Sequence, residues 1–283
     1  MVAGMGPARL ALLVLIACRS PRPPEFAGGV ELQLAQSWHG TVFVPVVVNG
    51  RPLRFIFDTG ATISAVTPAT AQVLELVPNG TTLVNGTIDA QLATLQSLSV
   101  GSIRHDHVRV AIVALPEERR IDEHFDGVLG LDILGQHDVA IDIPRHRFVF
   151  YPPSYLAHSD AVSGMIRVPF TKGHYGLVEL QATFDERRGG IPAFLDLGAQ
   201  RTITNPVTAN WIEGGGPLDP ERSSRGLAVG HVRWDEFKIV IENLQIFEYW
   251  IRTDDLAVIL GADLFRDRAL VLAYQDGALF VAR

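Results

Sequence analysis

The sequence predicts an all-β protein built from two similar halves, and three observations carry that prediction. Short apolar runs alternate with polar residues along most of the 283-residue chain. Turn-forming pairs such as Asn49-Gly50 separate the runs. Two motifs recur in the same order at nearly equal spacing, which marks an internal duplication. Composition agrees, since 47% hydrophobic and 19% charged residues describe a globular chain. The length suits one large domain or two smaller ones. A net charge of −7 with no basic run argues against nucleic acid as a partner, because phosphate binding needs clustered Lys and Arg.

The N-terminus differs from the rest. Arg9 precedes the apolar run Leu10 to Ala17, and Cys18 follows. A positive start and a short apolar stretch describe a secretion signal, and eight apolar residues are too few to span a bilayer as a helix. The run Leu15-Ile16-Ala17-Cys18 resembles the signal box of bacterial lipoproteins. That resemblance implies cleavage before Cys18, a lipid on Cys18, and a membrane-anchored protein of the cell envelope facing the periplasm or the exterior. An ordinary cleaved signal with an incidental cysteine is the alternative. Cys18 is the only cysteine, so no disulfide forms within the mature chain. The expected divisions are residues 1–17 as signal peptide, 18–37 as lipid-anchored tether, 38–152 as the N-terminal half, 153–164 as linker and 165–283 as the C-terminal half. Within the tether, RSPRPPEFAGG (19–29) has the composition of a flexible spacer.

Strand signals fill both halves. GTVFVPVVVNG (40–50) and RPLRFIFD (51–58) form a hairpin about Asn49-Gly50. Further runs are SLSVGSIRHDHVRVAIVAL, DVAIDIPRHRFVFY, GLVELQATF, FKIVIENLQIFEYWI and RALVLAYQDGALFVA. Helix is expected only in short pieces, over Pro68 to Leu76 and just after each Gly-rich motif described next.

The duplication is specific. FIFDTGATISAVTP (55–68) echoes in AFLDLGAQRTITNP (193–206), with Asp58, Gly60, Ala61 and Pro68 over Asp196, Gly198, Ala199 and Pro206 at an offset of 138. GVLGLDILGQHDVAIDIPRHRFVFY (127–151) echoes in VILGADLFRDRALVLAYQDGALFVA (258–282), with Gly130 over Gly261 and Asp132 over Asp263 at an offset of 131. In each copy the first motif drives an acid onto the end of an apolar strand, where a lone charge is costly without a partner.

An apolar strand ending in Asp-Thr-Gly-Ala, followed about 70 residues later by apolar-apolar-Gly, resembles the aspartic proteases of the retropepsin-like and pepsin-like type. The resemblance covers residues 38–152 and, more weakly, 165–283. It implies an acid protease fold of two β-rich halves about a pseudo-two-fold axis, with few short helices. It also implies an aspartic endopeptidase, with Asp58 and Asp196 as the catalytic pair sharing one proton around an attacking water. Thr59, Gly60, Ala61, Gly198 and Ala199 then support the dyad, with Thr59 bonding across to the opposite loop. Leu197 stands where the family usually repeats Thr or Ser. Ala61 and Ala199 stand where pepsins often carry a hydroxyl, which implies a less acidic working pH. Polypeptide substrates bind extended beneath hairpin flaps. Asn85, Gly86 and Thr87 are the flap candidates, and RGLAVGHVRW (225–234) is a weaker candidate in the second half. No cofactor or metal is implied, and one chain carries both halves, so a monomer suffices.

Other signals carry less. Asp132 and Asp263 read as structural helix-capping acids. His105 and His107 could share a strand face as metal ligands, but no third ligand is evident nearby. Two functional alternatives stay open. One is a non-catalytic peptide-binding lipoprotein on the same fold, with Leu197 as its mark. The other is a dyad formed between two chains through their first halves, which requires Asp58 and Asp196 to lie far apart within one chain.

Overall fold

The protein is described by a computed structural model over residues 26–33, 35–36, 40–84, 88–114, 124–185, 189–213, 221–250 and 255–283. The predicted Asn49-Gly50 hairpin forms, with both residues at positive φ (49° and 81°), as a tight turn between right-twisted strands requires. It joins β3 (Val42–Val48) to β4 (Arg51–Phe57); β1 (Val30–Gln33) and β2 (Ala35–Gln36) precede it. Next come β5 (Ala65–Val66), α1 (Pro68–Val73), β6 (Gly80–Val84), β7 (Ile88–Val100) and β8 (Ile103–Ile112). The first half closes with β9 (Gly127–Leu129), α2 (Leu131–Leu134), β10 (Asp138–Asp142) and β11 (Arg147–Tyr151).

The second half repeats this order. It runs β12 (Ile166–Pro169), β13 (Thr171–Lys172), β14 (Val178–Phe184), β15 (Ile191–Leu195), β16 (Ile203–Thr204) and α3 (Pro206–Glu213). Then follow β17 (Glu221–Val229), β18 (Val232–Ile241), α4 (Gln245–Trp250), β19 (Val258–Leu260), β20 (Ala269–Ala273) and β21 (Ala278–Val281). Pro68 and Pro206 each open a helix, at the first-turn position where a missing N–H costs nothing. Thr67 caps α1 by accepting from the Thr70 N–H.

Each half wraps its own sheet, and a third sheet joins them. That sheet has the order β1-β11-β10-β20-β21-β12, a palindrome about the β10–β20 pair. The pairing there is self-complementary: Asp138 lies opposite Ala273, the repeat counterpart of Asp142, and Asp142 lies opposite Ala269, the counterpart of Asp138. β10 and β20 are buried along their whole length because both faces of the sheet are covered. One face presents Val139, Ile141, Phe148, Phe150, Leu270, Leu272, Leu279 and Val281 to the main core, which also holds Phe57, Leu129, Leu195 and Leu260 at the inner ends of both lobes' strands. The other face presents Ala140, Val149, Tyr151, Val271, Ala273 and Phe280 to Phe26 and Leu156. Phe57, the residue before Asp58, stacks on Phe148 at 4.5 Å between ring centroids. The joining sheet is thus the floor on which both acid-bearing strands stand.

Three sequence expectations are corrected. The tether was assigned residues 18–37, yet β1 pairs with β11 and β2 with β3. Phe26 is 3% exposed under the joining sheet, so the spacer stops short of it. The run FKIVIENLQIFEYWI is not all strand. After Ile241 it turns into α4, and Phe247 is buried beside Ile203, Ala257 and Ile259, with Leu244 and Ile246 packed against the same cluster. Glu242 and Asn243 interrupt the strand, and Ile246 and Phe247 beyond them pack from the helix onto that cluster. Third, 225–234 is no flap. Its turn at Gly230 lies against Val168 of β12, as the matching turn at Gly101 lies against Val30 and Leu32 of β1. Both turns point at the joining sheet, away from the acids.

Phe148→Ala removes the ring beneath Phe57. It is expected to cost about 3–5 kcal/mol of stability, as for other buried Phe truncations, read as a lower urea midpoint at unchanged slope.

Candidate active site

Asp58 follows β4 and Asp196 follows β15, at equivalent points in the two lobes. Each backbone N–H is fixed by the neighbouring parallel strand: Asp58 N donates to Leu129 O (3.1 Å) and Asp196 N to Leu260 O (3.0 Å). Three residues on, Ala61 O accepts from Leu131 N and Ala199 O accepts from Ala262 N, both at 2.8 Å. Each acid-bearing loop is therefore stapled at both ends to the second motif of its own lobe. That is why the two motifs recur together.

Within each loop the carboxylate folds back onto its own turn. Asp58 Oδ1 accepts from Gly60 N (2.7 Å) and Ala61 N (3.0 Å); Asp196 Oδ1 accepts from Gly198 N and Ala199 N, both at 2.9 Å. The two carboxyl groups are hydrogen-bonded to each other. A Cβ placed on Gly60 would sit 2.5 Å from Asp196 Cγ, and one on Gly198 would sit 2.5 Å from Asp58 Cγ. Each acid thus occupies the space left empty by the other lobe's glycine. Neither glycine has positive φ, so their need is for close approach rather than for a special turn. Burial raises the Asp196 pKa above the ordinary carboxylate range, against the pull of the Ala199 N–H, the Asp58 carboxyl and the Gly198 N–H.

Thr59 is fully buried and ties the loops together. Its hydroxyl donates to Leu195 O (2.8 Å) and accepts from Leu197 N (3.0 Å) across the interface. Leu197 cannot return the pair; its side chain is 2% exposed and belongs to the main core. A second cross-lobe bond runs from Gln200 Nε2 to Thr41 Oγ1 (2.8 Å). The asymmetry trades one hydroxyl for apolar burial, and the lobes remain linked.

Asp132 and Asp263 are structural, but they are not caps. Gly130 and Gly261 hold the cap positions, without side-chain bonds. Asp132 Oδ1 accepts from Ser64 N (2.9 Å) and Ser64 Oγ (2.7 Å), and Ser64 Oγ accepts from Gly130 N (3.0 Å). The second lobe repeats this with Thr202 Oγ1 donating to Asp263 Oδ1 (2.9 Å) and accepting from Gly261 N (3.3 Å). Burial raises the pKa of both acids, against the hydrogen bonds they accept. Ser64 and Thr202 went unremarked in the sequence, although they are hydroxyl residues at the same offset of 138 as the acids. Both helix-terminal acids brace the loops that carry Asp58 and Asp196.

The remaining candidates fall elsewhere. Asn85, Gly86, Thr87 and Cys18 lie outside the described residues. The hairpin leading to 85–87 is described, and Val84 packs against the same apolar cluster as Ala61 and Ile63 of the Asp58 loop. His105 does not team with His107, which takes a positive φ of 56° and leaves the strand pairing. Its neighbour is His137, with Nε2 to Nε2 at 3.3 Å, edge-on to Phe150. Among the described residues no group of three His, Cys, Asp or Glu could hold a metal. The dyad between two chains is overturned, because the two acids meet within one chain.

Thr59→Val leaves the Leu195 carbonyl and the Leu197 N–H buried without partners. At about 1–3 kcal/mol each, a loss of about 2–6 kcal/mol in urea unfolding is expected, with Thr59→Ser near wild type. Leu197→Thr offers a second hydroxyl but gives up buried methyls, so its stability should stay within about 1.5 kcal/mol of the parent.

The histidine pair sets a pH dependence. Burial lowers the His105 pKa, its His137 neighbour lowers it further, and Asp106 opposes; burial lowers that of His137, opposed by the Tyr151 backbone. Below about pH 6.5 the unfolded chain takes up protons that the folded pair resists, so this contribution to stability falls as pH drops. His137→Asn should flatten that decline in urea midpoints measured between pH 7 and 5.

Residues 44–133 match the family model described as aspartyl protease, a stretch of about a third of the chain that contains Asp58, its turn and Asp132. No curated protein matches the chain. Over residues 44–133 the chain is thus similar to retropepsin-like aspartyl proteases, and its two lobes together fit a pseudo-two-fold, all-β protease fold.

Proposed function

We propose that the protein is an aspartic endopeptidase that hydrolyses polypeptides with a water activated between Asp58 and Asp196, and that a lipid on Cys18 tethers it to a membrane of the cell envelope. The observation that carries the catalytic reading is the reciprocal seating of the two carboxyls, each over the opposite lobe's glycine and hydrogen-bonded to the other. Two carboxyls this close cannot both ionise cheaply, so the pair holds one proton. Aspartic proteases are a standard instance of that coupling. The ionised member takes a proton from the water, and the resulting hydroxide attacks the peptide carbonyl. The protonated member donates to the carbonyl oxygen, and proton transfer to the amide nitrogen then releases the amine.

Partly buried apolar residues pack in one cluster with Ala61, three residues after Asp58, and in another with Ala199, three residues after Asp196. Ala61, Ile63 and Val84 lie on one lobe, and Ala199, Leu244 and Ile246 on the other. They suit apolar side chains of an extended peptide held by backbone pairing under the β6–β7 hairpin. One chain supplies both acids, so a monomer suffices. For the anchor, the support is the sequence before and at Cys18.

The second reading, a peptide-binding lipoprotein without activity, is favoured by Leu197 alone. A peptide-library assay separates the two. Asp58→Asn and Asp196→Asn should each lower cleavage at least about 100-fold, the scale of losing a general acid or base. Binding without cleavage by the parent supports the second reading, and cleavage that survives both changes removes the first.

The working pH follows from the turn residues. Ala61 and Ala199 offer only backbone N–H groups to the ionised dyad, and burial holds the Asp196 proton to higher pH than a free carboxyl. The singly protonated pair therefore persists upward from the free-carboxylate range near pH 4. The rate should peak above that range; an optimum near pH 2–3 contradicts the assignment.

A further inference from the structure

The joining sheet separates two sides of the molecule. On one side Phe57 and Leu197, the chain neighbours of the two acids, sit in the core above the sheet. On the other side the chain enters. Phe26 is buried against Val149, Tyr151 and Phe280, on the face turned away from the acids. Three further contacts hold the entry there. Arg147 donates to Phe26 O (3.2 Å), Tyr151 Oη donates to Ala27 O (3.1 Å), and Arg147 grips Glu31 through two bonds of 2.8 Å. β1 then completes the edge of the sheet beside β11. The chain's point of entry is therefore fixed on the back of the floor that carries the dyad.

From Cys18 to Phe26 is eight residue steps, rich in proline. Extended, such a segment reaches about 25–28 Å. A folded body of this size has a radius of gyration of about 18 Å, so the path around its outside from back to front is roughly 70 Å. The tether lets the body roll onto its side, but it is too short to turn the body over.

We propose that the anchor holds the protein with the back of the joining sheet toward the bilayer and the dyad facing away, so that its substrates are polypeptides free in the surrounding compartment rather than segments lying close against the membrane. This rests on the lipid anchor and the peptidase activity read above. It adds a direction, set by where Phe26 is fastened and by how few residues separate it from Cys18.

Orientation is measured without reference to activity. The lipidated full chain is reconstituted in phosphatidylethanolamine–phosphatidylglycerol vesicles carrying a headgroup acceptor dye. Lipidation blocks the only native thiol, so a donor dye can be placed at one new cysteine. Tyr155→Cys lies on the back, where Tyr155 stacks on Tyr151 at 5.3 Å; Leu83→Cys lies on exposed surface of β6, next to Val84, which packs on the cluster shared with Ala61 and Ile63 of the Asp58 loop. For a body roughly 45 Å across, energy transfer at position 155 should exceed that at 83 by at least about threefold. A Gly-Ser insert of about 40 residues between Pro24 and Glu25 should erase the difference. Equal transfer at both sites, a reversed order, or a difference that survives the long tether overturns the orientation. Failure to float with the vesicles removes the anchor, and the proposal with it.

Activity supplies the second arm. One cleavable sequence is offered free and on a membrane-spanning stub that holds it within about 10 Å of the bilayer. The parent should cut the free form and spare the stub, and the long tether should restore cutting of the stub. Equal cutting of both forms by the parent overturns the proposal. If the transfer measurement succeeds while neither form is cut, the orientation stands, and the peptidase reading and the substrate class fall.

Discussion

Two carboxyl groups pressed together over two glycines form the contact on which the rest of the structure depends. Each acid lies where the other lobe's glycine would carry a Cβ, so a side chain at either glycine would push the two acids apart. Bringing them together is costly. Like charges repel at this range, burial disfavours the ionised form, and the loops lose freedom when they are apposed. Backbone N–H groups of residues 60, 61, 198 and 199 offset part of that cost from within each loop. The remainder must come from whatever forces the lobes to meet. Here that is the joining sheet, whose central β10–β20 pair is self-complementary and buried on both faces.

The braces around the dyad differ in how much symmetry they keep. The acid-to-hydroxyl links from Asp132 to Ser64 and from Asp263 to Thr202 match in both lobes, and so do the backbone staples at Ala61 and Ala199. They hold each loop within its own lobe. The cross-lobe lock is lopsided. Thr59 satisfies two buried backbone groups of the second lobe, while Leu197 sinks into the core. A buried hydroxyl is valuable because losing it strands its partners. A buried leucine contributes through apolar area instead, at about 25 cal/mol per Å². Gln200 adds a polar tie to Thr41 that the repeat alone does not suggest. The second lobe thus keeps the acid and its turn while linking to the first by other means.

Much of this was legible because duplication shows twice in a sequence. Nearly equal offsets tied Asp58 to Asp196 and Gly130 to Gly261, and the Asn49-Gly50 turn and the strand runs followed from local chemistry. What was missed depended on contacts across the fold. The run around Phe247 carries strand-like residues, yet it turns helical where Phe247 is buried and Ile246 packs beside it. β1 is short and polar on alternate residues, so it reads as tether until β11 supplies its partner. Gly230 sits in a hairpin turn like any other, and only its contact with Val168 shows which way the turn points. Ser64 and Thr202 were visible at the shared offset, but a hydroxyl on a loop has many uses until its acid is located.

The joining sheet therefore serves two ends at once, and its two faces do different work. The inner face packs the lobes together through Phe57 on Phe148, Phe150 beside it, and the aliphatic residues of β10, β20 and β21. The outer face, with Phe26 and Leu156 pressed on it, fastens the start of the folded chain and the linker between the halves. Asp138 shows how closely the two are coupled. It stands in β10 opposite Ala273, and its carboxylate accepts from Leu156 N (2.7 Å) and Ser154 N (3.2 Å) in the linker behind. A chain that must bring two lobes together gains most by tying their connection to the strand pair that relates them. The same economy leaves the opposite surface, where the acids stand, free of both the chain's entry and its crossing.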